Sequence, residues 1–176
     1  MRRTMTSVMM LAATLVVMTG PGTRLHATAM SGFTGVTVVK GTFGDIDVFN
    51  HIAPPDFWKL LHRSDVWLSW QKTKGDSDLY IQNNTWQPGG TTGWHSHPGH
   101  SLIIVTSGTV TNYESDDPSC APHVYTAPAT FVDAGGDHTH IVRNETNQVA
   151  TGYAVQLIPA GATRRIDADA PANCPF

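Results

Sequence analysis

Five of the chain's histidines fall in two short windows, Gly93-Trp94-His95-Ser96-His97-Pro98-Gly99-His100 and Asp137-His138-Thr139-His140. Neutral imidazole is the commonest protein ligand for transition metals near neutral pH. Residues two apart on a strand face the same side. His95 and His97 therefore present two rings together, and two such rings can meet one divalent ion at about 2.0–2.1 Å each. A third ligand must come from another strand, and either His140 or His138 can supply it. A lone H-x-H pair is also found on ordinary surfaces; two separated pairs in one small chain favour a metal site. His51, His62 and His123 stand outside these windows and read as ordinary surface or partly buried residues.

The elements that must carry these histidines read as β. Apolar residues over 35–49 (Val36, Val38, Val39, Phe43, Ile46, Val48) suggest strand, interrupted by Gly41 and Gly44. Residues 57–62 fit either a single helical turn or the start of another strand. Residues 67–72 alternate apolar and polar side chains, as a half-buried strand does. Gly75-Asp76 reads as a turn, Leu79 to Trp86 as a strand, and Gln87-Pro88-Gly89-Gly90 as a strong turn. Residues 94–106 and 109–114 are β-prone and, with Gly108 between them, predict a hairpin. Short strands follow around Val124, Phe131 and Ile141, then a longer one from Gln148 to Ile158. Residues 159–176 hold three prolines and read as a surface tail. Eight to ten short strands separated by turns point to a sandwich, barrel or jelly roll.

The spacing around the histidines carries more information than their number. Gly89 is followed by five residues, His95, one residue, His97, three residues, Ser101, six residues and Gly108. This resembles the first motif of the cupin superfamily, G-x5-H-x-H-x3-E-x6-G, at every fixed position except the glutamate. The second cupin motif, G-x5-P-x-G-x2-H-x3-N, is matched at its end by His140 and Asn144; Gly135 and Asp137 stand where its proline and second glycine would be. The resemblance covers residues 89–144. It implies an all-β fold, a cupin-type double-stranded β-helix (jelly-roll barrel), with His95, His97 and His140 as ligands of one metal ion inside it.

Ser101 occupies the place of the carboxylate ligand. A neutral hydroxyl is a poor ligand for a divalent cation, so the expected site has three histidines, a charge near +2 and open positions. It would suit Fe, Zn, Mn, Ni or Cu. Some cupin dioxygenases are similar in using three histidines alone. His100 follows the Pro98-Gly99 turn and is a candidate replacement for the glutamate; His138 is the rival of His140 as third ligand. Asn144 is expected to fix a turn through side-chain to backbone bonds, and Gly89 and Gly108 to permit tight turns. Trp86, Trp94, Tyr113, Phe131, Tyr153 and Gln156 read as core in preference to ligand contacts.

The N-terminus has a different character. Arg2 and Arg3 precede an apolar run of 11 residues, Val8 to Met18, and Ala27-Thr28-Ala29 follows. This describes a secretory signal peptide over residues 1–29, cleaved near Ala29, ahead of a single domain over residues 30–176. The apolar run is too short to cross a bilayer as a helix, which takes about 20 residues. Export into an oxidising compartment predicts a disulfide between Cys120 and Cys174, the only cysteines. The leader holds three of the 11 basic residues and none of the 14 acidic ones, which leaves eight against 14 in the mature chain and a net charge of −6. With no basic cluster left, a nucleic-acid partner is not expected.

Two function classes follow. One is a metal-dependent oxidoreductase, dioxygenase-like, acting on a small phenolic or enol-like compound. The other is a non-catalytic module of the cell envelope that captures a metal or small ligand. The family resemblance also implies a homodimer. No hydrolase triad and no phosphate-binding glycine loop is visible.

Overall fold

The computed structural model describes residues 28–52 and 67–176. The predicted leader up to residue 27 and the segment 57–62 therefore lie outside the described residues. Among those described there is no helix. Twelve strands run in chain order: β1 (Ser31–Phe43), β2 (Asp47–Ile52), β3 (Trp67–Lys72), β4 (Ser77–Thr91), β5 (His95–Ser96), β6 (Ser101–Ser107), β7 (Thr109–Glu114), β8 (His123–Thr126), β9 (Thr130–Asp133), β10 (His140–Arg143), β11 (Ala150–Pro159) and β12 (Ile166–Asp167).

Ten strands form one antiparallel sheet that wraps into a jelly-roll barrel; β2 and β3 pair separately as a hairpin. One wall is β1-β4-β11-β6-β9 and the other is β12-β5-β10-β7-β8. The walls join where Arg143 of β10 meets Thr91 at the end of β4. Alternation decides what faces inward: along β6, Ser101, Ile103 and Val105 are buried while Leu102 and Ile104 are exposed. Phe131 and Asp133 of β9 are buried on the facing strand.

The interior of the barrel is closed by an apolar cluster that includes Trp86, Ile103, Val105, Val110, Phe131 and Val142. Full burial of side chains of this size contributes roughly 1.5–3 kcal/mol each. A second cluster, Trp94, Tyr113, Ile141 and Cys174, packs on the outside of β7 and β10. The predicted Cys120–Cys174 disulfide is present and lies against this second cluster.

Three sequence expectations are corrected. Residues 87–90 do not turn back: β4 continues through them to Thr91. Gly89 takes a φ of +74°, and the pairing with β1 slips between Phe33↔Trp86 and Ser31↔Thr91, so the segment is an irregularity that bends one long strand. There Gly89 N–H donates to Asn144 O and Asn144 N–H to Gly90 O, which ties β4 to the end of β10. Secondly, β6 and β7 are not a hairpin: β6 pairs with β11 and β9, and β7 crosses to β10 and β8. The crossing occurs at Gly108 (φ +70°), where a Cβ would press on the Val149 carbonyl and Ala150. Thirdly, residues 159–176 are more than a surface tail. They add β12 to the edge of β5, bury Cys174, and place the Phe176 carbonyl as acceptor for the Trp94 indole N–H at 2.8 Å.

Candidate metal centre

Two paired strands and the residue just past one of them bring three histidines to one point. His95 of β5 is the cross-strand partner of His140 of β10. His97 lies two residues beyond His95. One ring nitrogen from each of His95, His97 and His140 falls within 4.8 Å of the others. His95 and His140 are buried, and His97 is largely so.

Hydrogen bonding sets the tautomers. His95 Nδ1 lies 2.8 Å from the Gly93 carbonyl, and His97 Nδ1 lies 2.5 Å from the Arg164 carbonyl. A carbonyl oxygen can only accept, so both Nδ1 atoms carry the hydrogen and both Nε2 atoms keep a lone pair. His140 Nε2 stands 3.2 Å from His95 Nε2. Burial, foremost, pushes all three rings below the ordinary histidine range, His140 to about 4. The rings also disfavour each other's charge, as do the nearby Arg164 and Arg165. At neutral pH the three rings are therefore neutral, the form that binds metal.

The donor set fits a divalent cation. With bonds of about 2.1 Å, neighbouring donors stand about 3.0 Å apart in an octahedron and about 3.4 Å apart in a tetrahedron. The 3.2 Å between His95 and His140 nitrogens lies between those values. Two lone pairs facing each other at that distance repel unless a cation or a proton lies between them.

The remaining candidates separate clearly. His100 is exposed and lines a different, outer groove with Trp70 and Lys72, so it does not join the cluster; the Pro98-Gly99 turn directs it outward. His138 does not group with His95 and His97. Its ring centroid is 6.5 Å from that of His140, and it sits instead beside Glu114 and Asp116. Ser101 is buried at the site, with its hydroxyl donating to Asp133 Oδ2 at 3.2 Å. Asp133 was not among the sequence candidates. Its Oδ2 lies 3.6 Å from His97 Nε2 and 3.9 Å from His140 Nε2, and its side chain is fully buried. The available signal was register: Ser101 and Asp133 are direct partners across β6 and β9, but pairing between those two strands is not readable from one sequence.

Above the histidines opens a cavity of about 270 Å³. Phe33, Trp86, Ile103 and Phe131 give it apolar walls, while Arg164 and Arg165 bring positive charge. Trp86, Phe131 and Gln156 thus line the cavity as well as filling the core, whereas Trp94 and Tyr113 belong to the outer cluster and Tyr153 is exposed. Arg164 is held by Gln156 Oε1 at 3.0 Å, Gln82 Oε1 at 2.8 Å and the face of Tyr80. Both arginines come from the segment after β11.

No family model and no curated protein matches the chain. Among solved structures, it is similar to a cupin-like protein from Thermotoga maritima (TM-score 0.43, 18% identity, over 52% of this chain and 65% of that one). It is also similar to a cupin superfamily protein from Desulfitobacterium hafniense (TM-score 0.40, 12% identity, 46% and 67%). An oxalate oxidase is similar at a TM-score of 0.40 and 22% identity, over 47% of this chain and 46% of that one. The chain thus spans about half to two thirds of the length of these structures. A jelly-roll barrel with the motif histidines converging inside it is the arrangement that the resemblance of the motif spacing to the cupin superfamily implies.

Proposed function

We propose that the chain holds one divalent metal ion through His95, His97 and His140 and uses the cavity above it to bind a small organic molecule through oxygen. The observation that carries this is the convergence of three neutral imidazoles, two with their outer nitrogens tied to carbonyls, at the base of a mostly apolar cavity. When bound, such an ion polarises oxygen ligands or takes part in an oxidation. The chain's own residues supply the rest. Phe33, Trp86 and Phe131 exclude water and offer surface to an aromatic or enol-like body. Arg164 and Arg165 favour a phenolate, enolate or carboxylate oxygen. A dioxygenase-like oxidoreductase suits this arrangement. Export through the predicted leader accords with the disulfide, which needs an oxidising compartment.

A non-catalytic capture module is the second reading. It is favoured by one feature: among the described residues, the cavity wall offers no acid or base beyond the histidines, Asp133 and the two arginines.

Metal content after reconstitution with Fe(II), Zn(II), Mn(II), Ni(II) and Cu(II) tests the first claim. One ion per chain is expected, with loss in His95→Ala and in His140→Ala; no uptake of any of the five refutes the site. Oxygen consumption by the Fe(II) form over a panel of phenols and enols separates the readings. Turnover supports the enzyme, and no uptake with any member leaves the capture module.

A further inference from the structure

We propose that Asp133 is a fourth, carboxylate ligand to the ion held by the three histidines, supplied from β9 and held in place by a hydrogen-bonded chain that begins at Arg164. This rests on the metal-site reading above and extends it.

The position comes from strand pairing. Ser101 and Asp133 are direct partners across β6 and β9, so their side chains project on the same face. A carboxylate at residue 101 would therefore confront the carboxylate at 133, and like charges directly opposite destabilise a strand pair. A small neutral residue at 101 relieves that conflict and leaves room for Asp133 to face the histidines. The loss of the glutamate at 101 and the presence of Asp133 are then two parts of one arrangement.

Asp133 faces two of the three histidines. Asp133 Oδ2 is 3.6 Å from His97 Nε2 and 3.9 Å from His140 Nε2. These are too long for hydrogen bonds and somewhat longer than the edge of a coordination polyhedron, so a cation between the donors would draw them together.

The polarity of the surrounding hydrogen bonds points the same way. Arg164 Nε–H donates to Gln156 Oε1 at 3.0 Å. Gln156 Nε2–H donates to Ser101 Oγ at 3.2 Å, and Ser101 O–H donates to Asp133 Oδ2 at 3.2 Å. Gly135 N–H donates to the other oxygen, Oδ1, at 3.0 Å. Every donor in the chain points toward Asp133, the pattern that a carboxylate acceptor requires. Gly135 is fixed in turn: its φ is +68°, and a Cβ there would collide with the Gly99 carbonyl. Ser101, Gln156 and Gly135 are thus positioning residues for Asp133.

The test is Zn(II) affinity of the chelator-stripped protein, read by competition with a chromogenic chelator, with thermal melting of the metal-free forms as the control for folding. Asp133→Asn preserves shape and is expected to weaken binding by about 100-fold or more, while Ser101→Ala, which only releases the carboxylate, weakens it by roughly 10-fold. The exchange Ser101→Glu with Asp133→Ser is expected to bring affinity back to within about 10-fold of wild type, which moving a carboxylate ligand to the facing strand allows and losing a supporting group does not. Asp133→Asn binding within about 3-fold of wild type, while His95→Ala binds nothing, overturns the assignment of Asp133 and leaves the three-histidine site standing. No recovery in an exchanged variant that melts like wild type also overturns it. Wild-type protein that takes up none of Fe(II), Zn(II), Mn(II), Ni(II) and Cu(II) ends both proposals together.

Discussion

Asn144 is where the structure permits the most direct energetic prediction. Its side chain is buried and makes four hydrogen bonds. Nδ2 donates to the Trp86 carbonyl at 3.0 Å and to the Gln148 carbonyl at 2.7 Å. Oδ1 accepts from Thr146 N–H at 3.0 Å and Thr146 Oγ1–H at 2.7 Å. The backbone of the same residue clasps Gly89 and Gly90. One residue therefore closes the β10–β11 turn and pins it to the bend in β4. Asn144→Ala removes all four side-chain bonds. The Gln148 carbonyl and the Thr146 groups are open enough for water to replace them, but the Trp86 carbonyl is enclosed. At about 0.5–1.5 kcal/mol per net bond, with a larger cost for the enclosed carbonyl, the expected loss is about 2–4 kcal/mol. In a domain of this size that lowers Tm by roughly 5–15 °C. Asn144→Asp keeps the Thr146 contacts but turns a carboxylate oxygen toward two carbonyls, and should be at least as damaging. Urea unfolding with an unchanged slope would measure both. A loss below about 0.5 kcal/mol in Asn144→Ala would refute the reasoning, since no buried group could then depend on the side chain.

Two further outcomes follow from other parts of the barrel. The Cys120–Cys174 bridge closes a 54-residue separation, so Cys120→Ser with Cys174→Ser should lower stability by up to about 4 kcal/mol in the chain-entropy picture; equal denaturant midpoints with and without reductant would contradict it. Asp78 is buried among Lys40, Thr42 and the Gly161 N–H, which hold its carboxyl down to about 2 from an ordinary 3.8. Its contribution is complete above the ordinary value and is lost as pH falls through about 2, because the unfolded chain takes the proton first. Wild type should therefore lose stability between about pH 4 and pH 2 relative to Asp78→Asn, and parallel pH profiles of the urea midpoint would exclude that role.

Much of the site was legible because it is local. The H-x-H spacing keeps two rings within reach of each other, and the structure brings together His95, in β5, and His97, just past its end. Asn144 was readable as a turn residue for the same reason: its partners Thr146 and Gln148 are two and four residues away. Strand content also followed from local pattern, with residues 67–72 and 109–114 forming strands over those same ranges.

Where local signals failed, a long-range contact had overruled them. Gln87-Pro88-Gly89-Gly90 has the composition of a turn, yet the backbone bonds from Asn144 hold it as a bend within β4. Residues 109–114 look like the return arm of a hairpin, yet β10 and β8 claim them. The C-terminal segment looks like a tail until Cys174, Trp94 and β5 give it partners.

The sequence by itself determined that this is a β protein with a histidine cluster, because periodicity and short spacing act within one strand. Only the tertiary structure set His140 directly across from His95, turned His100 outward, and put Asp133 opposite Ser101. Those outcomes depend on which strands lie side by side and in what register, and register is set by the burial of whole faces across the barrel. The serine at position 101 looks like a loss when read alone. Set against its partner strand, it is the space into which a carboxylate from β9 can reach.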